Sequence, residues 1–434
     1  MKNSKAGSST YSWALVAMLW VVAFLNYFDR ILITSMRDPI VADFSLNDAQ
    51  FGLLTSLFLW TYGFLSPFGG FFADKHSRKK VIVFSVAVWS AVTLWTGFIT
   101  SFQEMLVARA FMGISEACYI PAALALITDY HKGRTRSLAT GLHMTGLYAG
   151  LALGGVGGYI AELWGWRFGF QVFGAVGILY SIVLLFFLKD APPQPSENTS
   201  QKDIPSNQPI TLFGSIKVLF RERSFLILLI YFSVLGIVNW LVYGWLPTFL
   251  KEHFNLTLGK AGISATGYIQ IGSFLGVIIG GILADRWFRS NVRSRLYVVI
   301  IGFSIGAPFL FLMASTSIFS IAILAMVVFG VARGFNDANL MPILRQIADS
   351  RYIATGYGFL NFLSTIVGGL MVYVGGALKD AQVDLSIVYQ VSAVLMLVAT
   401  WLLFAVKIKK STSPIIMCNR KKLNGTPKNL SKKT

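Results

Sequence analysis

The stretch Arg109-Ala-Phe-Met-Gly113-Ile-Ser-Glu116-Ala-Cys-Tyr-Ile-Pro121 places an arginine and a glutamate seven residues apart in a segment otherwise apolar enough to cross a bilayer. At 100° per residue seven positions make two turns, so the two side chains share a helix face, about 10 Å apart along the axis. A charge at the centre of a membrane costs roughly 2.5–3.5 kcal/mol on insertion scales, so both residues are expected to face a protein interior or a water-filled cavity and to serve function. The pattern returns later in the chain. Gly334-Phe-Asn-Asp337-Ala-Asn-Leu-Met-Pro342 keeps the glycine, the acid, the alanine and the proline at the same spacing, so the chain reads as one unit built twice.

The composition around that stretch is that of a polytopic helical membrane protein: 55% hydrophobic and 13% charged residues, with a mean hydropathy of +0.64 over 434 residues. Apolar runs long enough to span recur twelve times, near 13–35, 50–73, 81–100, 104–128, 138–160, 168–188, 224–248, 261–284, 295–314, 317–343, 352–376 and 386–408. The expected fold is an all-α membrane protein of twelve transmembrane helices in two pseudo-symmetric six-helix bundles, 13–188 and 224–408. A tail at 1–12, a polar Pro/Ser-rich linker at 189–223 and a basic tail at 409–434 complete the chain.

A net charge of +18 could suggest a nucleic-acid partner, but the 37 lysines and arginines are distributed by topology. With the N-terminus in the cytoplasm, Arg37, Arg167, Lys251, Lys260 and Lys379 fall on outside loops and Arg30, Arg109 and Arg333 within spans. The rest lie inside, as the positive-inside rule requires, with both termini cytoplasmic. The expected partners are therefore a small-molecule substrate and membrane lipid, not nucleic acid. The basic tail reads as solvated, with contact to anionic lipid as the lesser reading. Cys118 in a span and Cys418 in the tail make neither a disulfide framework nor a metal pattern, and no metal or cofactor is expected. The first apolar run is long enough to span and lacks a small-residue cleavage site, so no cleavable signal peptide is expected.

Taken in order, span 1 carries Asn26-Tyr27-Phe28-Asp29-Arg30 in its middle. Asp29 and Arg30 point about 100° apart and are expected to serve different partners. In span 2 the Tyr62 hydroxyl needs a partner if buried. Glycine ladders at Gly150, Gly154 and Gly158 and at Gly272, Gly276 and Gly280 read as close helix packing. His143 reads as a hydrogen-bonded interior histidine, with a proton relay as the lesser alternative. Aromatics at Trp240, Tyr243 and Trp245 belong to an interfacial belt or a cavity wall, with the belt favoured for Trp245. Gly302-Phe-Ser304-Ile-Gly306 matches G-x-S-x-G inside a span, which excludes a hydrolase nucleophile elbow. Arg333 and Asp337 are four apart and can pair on one face; with Asn336 and Asn339 they make a second polar cluster, and Asn361 is a further cavity candidate.

Span 2 ends in Gly70-Phe-Phe-Ala-Asp74-Lys75-His-Ser77-Arg78-Lys-Lys80, and Gly281-Ile-Leu-Ala-Asp285-Arg286 repeats its start after span 8. This resembles the signature loop between helices 2 and 3 of the major facilitator superfamily, with Ser77 where glycine is usual. The resemblance implies two parallel six-helix repeats around a midplane substrate site. It also implies that Asp74, Lys75, Arg78, Asp285 and Arg286 belong to a cytoplasmic gate.

Within that superfamily, Asn26-Tyr27-x-Asp29-Arg30 with Arg109 and Glu116 resembles the anion:cation symporters, a family of sugar-acid carriers and sialin-like proteins. The Gly-x-x-Glu-Ala-x-Tyr form of span 4 is also similar to Spinster-like lipid carriers. Carried over by position, Asp29 and Glu116 become the protonatable pair, Arg30 holds a substrate carboxylate, and Arg109 sets the charge state of Glu116. Tyr27 and Tyr62 line the cavity. Desolvation against a nearby arginine gives a carboxyl whose proton affinity differs between states, while arginine stays cationic and offers a planar fork. The expected protein is a monomeric carrier in the cell (inner) membrane, not an enzyme. It symports a small organic anion such as a uronate, aldonate or sialic acid on a proton gradient, with sodium as the alternative ion. A lysolipid or an uncharged sugar is the rival cargo, and the polarity of span 10 departs from the sugar-acid carriers.

Overall fold

Each apolar run forms one span, because a helix pairs its backbone N–H and C=O groups internally where no water can. The computed structural model describes residues 9–131, 135–191, 212–288, 290–348 and 353–408, leaving aside the side chains of 9, 67, 69–74, 137, 212–216 and 354. The first half comprises α1 (Ser9–Ser35), a short connecting α2 (Arg37–Phe44), α3 (Asp48–Lys75) and α4 (Arg78–Thr96). Its fourth span is split into α5 (Phe102–Glu116) and α6 (Tyr119–Tyr130). The fifth joins α7 (Arg136–Leu153), a 3-10 turn at Gly154–Val156 and α8 (Gly157–Trp164), and α9 (Trp166–Phe187) closes the half. After α10 (Leu212–Arg221) the second half runs α11 (Arg223–Phe254), α12 (Leu258–Phe288), α13 (Ser294–Ser315), α14 (Phe319–Ile347), α15 (Ile353–Asp380) and α16 (Leu385–Leu402). Eleven spans are long and apolar enough to cross a membrane over their described residues. The twelfth, α3, is 28 residues long.

Three local expectations change. The segment 189–223 is not a linker throughout, because Leu-Phe-Gly-Ser-Ile-Lys-Val-Leu-Phe-Arg has helical apolar spacing and forms α10, with Leu219 buried in the main core; residues 192–211 lie outside the described residues. The fourth span breaks at Ala117 and Cys118, where Pro121 has no N–H to give the carbonyl four residues back. Pro342, at the matching place in the second half, sits inside an unbroken α14, so the repeated sequence is not a repeated backbone. Trp245 is 1% exposed and its Nε1 donates to the Val372 carbonyl at 2.9 Å, so it is a core wall and not part of an interfacial belt.

The ladder glycines do bring backbones together. A Cβ at Gly272 or Gly276 would lie 2.2 Å from the carbonyl of Val327 or Val331 on α14, and one at Gly150 would lie 2.4 Å from the Phe24 carbonyl on α1. Between the halves, a Cβ at Gly155 would sit 2.2 Å from the Gly262 carbonyl.

The halves are sealed at the end opposite the first and last described residues. Asp380, at the C-terminal end of α15, accepts from the Asp48 and Ala49 amides at 2.8 Å each and so caps α3 of the other half. A carboxylate is unfavourable at its own helix's C-terminus, and the exposed N-terminus it reaches compensates for that. Glu162 of α8 mirrors it, accepting from the Gly259 amide at the start of α12 at 3.1 Å. Fifth span caps second span, in both directions. Around these caps Arg37 pairs with Asp38 at 2.7 Å and with Asp48, Lys379 reaches Asp48 at 3.3 Å and Glu252 at 3.0 Å, and Lys251 of α11 pairs with Asp38 across the halves.

Replacing Asp380 or Glu162 by alanine is expected to cost roughly 0.5–2 kcal/mol of cap stability each. Faster hydrogen exchange at the amides of 48–49 or 259 checks it; unchanged exchange would mean the caps do not hold the seal. Burial alone would raise the Asp38 carboxyl, but the hydrogen bond and charge of Lys251, with Arg37, outweigh it and hold the group low. Such a depressed acid stabilises the sealed end above its ordinary pKa and loses that contribution as pH falls through the depressed one. Spin labels placed on the two halves at this end are expected to separate as pH falls from 7 to below the ordinary aspartate value of about 3.9, and Lys251→Ala should remove the part of that shift due to Asp38.

Candidate functional site

The charged residues of α1 and α5 meet near the middle of the first half, with Thr93 of α4 beside them. Arg30 Nε donates to Glu116 Oε2 at 2.7 Å and Nη2 donates to Asn26 Oδ1 at 3.0 Å. The side chains of the pair are 3% and 0% exposed. The guanidinium lies over the rings of Tyr62 at 4.4 Å, Tyr27 at 4.5 Å and Phe58 at 5.2 Å, which lend it further cation–π support. Asp29 turns away, as its 100° offset from Arg30 requires, and its Oδ2 accepts from Thr93 Oγ1 of α4 at 3.1 Å. Asp29 Oδ1 and Glu116 Oε1 are buried without a hydrogen-bond partner.

Arg109 shares the cluster but not the pair. Its Nε donates to the Leu54 carbonyl at 3.3 Å, Nη1 to Met112 Sδ at 3.0 Å, and its guanidinium lies 4.8 Å from the Phe58 ring. Two turns separate it from Glu116, and Arg30 arrives on Glu116 from the neighbouring helix. The expected control of Glu116 by Arg109 therefore has no direct contact behind it. With all four groups ionised, Asp29, Arg30, Arg109 and Glu116 sum to zero charge.

The second polar cluster forms in the other half, more loosely than expected. Arg333 and Asp337 share a face of α14, but Nε and Oδ2 stay 3.9 Å apart. Asp337 Oδ2 accepts from the Tyr148 hydroxyl of α7 at 3.2 Å, across the halves, and Oδ1 from Asn336 Nδ2 at 3.3 Å. Asn336 Oδ1 accepts from the Tyr231 hydroxyl at 2.9 Å. Arg333 lies 5.1 Å from the Tyr243 ring, whose hydroxyl accepts from Gln270 Nε2 at 2.9 Å. Asn339 does not join: its Nδ2 donates to the Phe335 carbonyl at 2.9 Å and braces its own helix. Asn361 is half-buried on α15, joined to neither cluster. Ile31, Leu151 and Tyr243 pack with Tyr27 and Trp240, which connects the walls of both clusters.

Two of the expected gate residues, Arg78 and Asp285, pair within their own halves. Arg78 pairs with Asp129 and donates to the Ala125 carbonyl at 3.2 Å. Asp285 accepts from Arg295 Nη2 at 2.8 Å. Lys75 and Arg286 are exposed, and the Asp74 side chain lies outside the described residues. His143 is fully buried, edge-on to Tyr119 at 6.0 Å, with the Leu19 backbone as its nearest hydrogen-bonding neighbour. Thr93, Phe58, Tyr148 and Gln270 were not singled out by sequence. A mid-span tyrosine needs a hydroxyl partner, the signal that marked Tyr62 and applies equally to Tyr148; a threonine in an apolar helix carries no comparable mark.

Glu116→Ala leaves a buried guanidinium with only Asn26, a loss of about 3–5 kcal/mol for broken buried pairs. Thermal unfolding in detergent is expected to show it. The double replacement Arg30→Met with Glu116→Leu should recover most of the stability, and if it does not, the damage comes from packing and not from the unpaired charge.

Two six-helix halves sealed at one end over a buried charged cluster are the architecture of a membrane transporter. The family model for the Major Facilitator Superfamily matches residues 19–372, and the chain belongs to that superfamily. It is 26% identical to protein spinster homolog 1 of Xenopus tropicalis over 320 residues, 70% of this chain and 60% of that protein. It is 27% identical to the probable sulfoacetate transporter SauU of Cupriavidus necator over 393 residues, covering 88% of this chain and 90% of that one. It is 25% identical to the D-galactonate transporter of Escherichia coli over 384 residues, covering 82% and 86%. The fold matches the crystal structure of a bacterial homolog to the human lysosomal transporter Spinster, in an inward-facing and occupied conformation, with a TM-score of 0.75 at 22% identity over 92% of this chain and 97% of that one.

Proposed function

We propose that the protein is a proton-coupled symporter of a small organic anion, a carbohydrate-derived acid or a comparably small sulfonate, working by alternating access. The observation that carries this reading is Arg30, a buried guanidinium that donates to Glu116 and Asn26 and faces the rings of Tyr27 and Tyr62. Arginine's fork suits a carboxylate or sulfonate, and its charge does not titrate. Because Asp29, Arg30, Arg109 and Glu116 sum to zero, each negative charge that enters with one proton keeps the site neutral. An anion alone leaves a net charge in a low-dielectric interior, at a cost. Asp29 and Glu116, each with one unpartnered oxygen, are the proton acceptors in this reading. Relatives named for galactonate and sulfoacetate support the anion class.

The topology proposed with it places both termini in the cytoplasm of the cell membrane, so the sealed end faces outward and the protein acts as a monomer facing inward. Similarity to spinster homolog 1 favours a second reading, a carrier of a lysolipid or other amphiphile, in which Arg30 meets a headgroup.

Counterflow of radiolabelled D-galactonate and sulfoacetate in proteoliposomes tests the proposal. Arg30→Ala is expected to abolish exchange. Glu116→Gln is expected to keep exchange but lose uphill uptake driven by a proton gradient. Undiminished exchange by Arg30→Ala removes the arginine's role, sodium-driven uptake replaces the coupling ion, and exchange of lysophosphatidylcholine alone transfers the assignment to the second reading.

A further inference from the structure

We propose that Arg333 is a second anion-anchoring residue, so that the cargo is a small dianion held between the halves, one acidic group on Arg30 and the other on Arg333. This deepens the organic-anion reading and rests on it.

Arg333 is 8% exposed, and its Nε is buried without a hydrogen-bond partner. The nearest carboxylate oxygen, Asp337 Oδ2, stands 3.9 Å from that Nε, beyond hydrogen-bond length. Asp337 is occupied elsewhere, by Tyr148 at 3.2 Å and Asn336 at 3.3 Å. The neighbouring Tyr243 hydroxyl is shared between Gln270 and Arg333. A residue that braced α14 would spend its donors on the protein, as Asn339 does on the Phe335 carbonyl. Arg333 spends part of its fork on the Tyr243 hydroxyl but keeps its buried Nε unpartnered, and an unsatisfied donor on a buried cation is costly. A carboxylate, sulfonate or phosphate that accepts two parallel N–H bonds is the chemistry that removes that cost.

The placement opposite Arg30 supplies the geometry. Arg30 lies over Tyr27 at 4.5 Å and Arg333 over Tyr243 at 5.1 Å. Tyr27 and Tyr243 pack in one cluster with Trp240, and Trp240 also touches the cluster of Phe58 that borders Arg30. The two guanidiniums thus approach one aromatic wall from opposite halves. A monoanion satisfies one of them; a dianion satisfies both and ties its binding to the relative position of the halves.

The test uses matched pairs on the full-length protein in proteoliposomes: D-galactarate against D-galactonate, which differ by one terminal carboxylate, and sulfoacetate against glycolate. Competition against counterflow is expected to favour the dianion of at least one pair by about ten-fold, the scale of a charge-assisted hydrogen-bonded contact. Arg333→Gln is expected to bring the ratio of dianion to monoanion competition down to about one, and Arg333→Lys to keep part of the preference. Equal or weaker binding of both dianions in the wild type overturns the proposal without any variant, and so does an Arg333→Gln protein in which both members of a pair weaken by the same factor. In those cases monoanion exchange persists and the organic-anion reading stands. If neither member of either pair competes, both readings fall.

Discussion

A single buried ion pair, Arg30 with Glu116, sets the terms for the rest of the first half. Ions removed from water need their charge and their hydrogen bonds answered within a few ångströms. That demand brings three helices into contact: α1 supplies Arg30 and Asn26, α5 supplies Glu116, and α3 supplies the rings of Phe58 and Tyr62. Such contact needs helices closer than ordinary side chains allow. A Cβ at Gly113 would lie 2.5 Å from the Phe58 carbonyl, and Gly150 lets α7 press α1 from behind. The charges and the glycines are two parts of one solution.

The second half repeats the scaffold without repeating the chemistry. Glu116 and Asp337 occupy matching places in the repeated pattern, yet one is answered by an arginine from another helix and the other by a tyrosine from the opposite half. The seal, in contrast, keeps its symmetry, with Asp380 on α3 and Glu162 on α12. Symmetry persists where the two halves must meet and part as equivalents, and it is lost where they face the cargo.

The spans, the duplication and the charged residues of the first cluster were legible in the sequence because each leaves a mark that composition cannot hide, whether a long apolar run, a repeated spacing or a charge inside a membrane. Partner choice was not legible. Arg109 and Glu116 share a face, but the contact that forms runs between helices, from Arg30, and no spacing within one helix encodes it. Trp245 shows the same limit: aromatic position along a span says nothing of azimuth, and its burial against Val372 follows from how α11 and α15 pack. The helix at 212–221 hid inside a region read for its Pro/Ser content, although its own ten residues carry apolar periodicity. The helix breaks ahead of Pro121 yet runs on through Pro342, so a shared proline does not fix a shared backbone.

The seal mixes two kinds of contact with different responses to the medium. Its outer ion pairs, among them Lys251 with Asp38 and Lys379 with Glu252, lie at the edge of the protein, where mobile ions screen charge over about 8 Å at physiological strength. The backbone crossings of Gly155 against Gly262 involve no net charge and feel no such screening. Ionic strength on the sealed side therefore acts as a dial on the conformational balance: dilute surroundings tighten the closed end, and brine loosens its rim while the glycine contact beneath it holds.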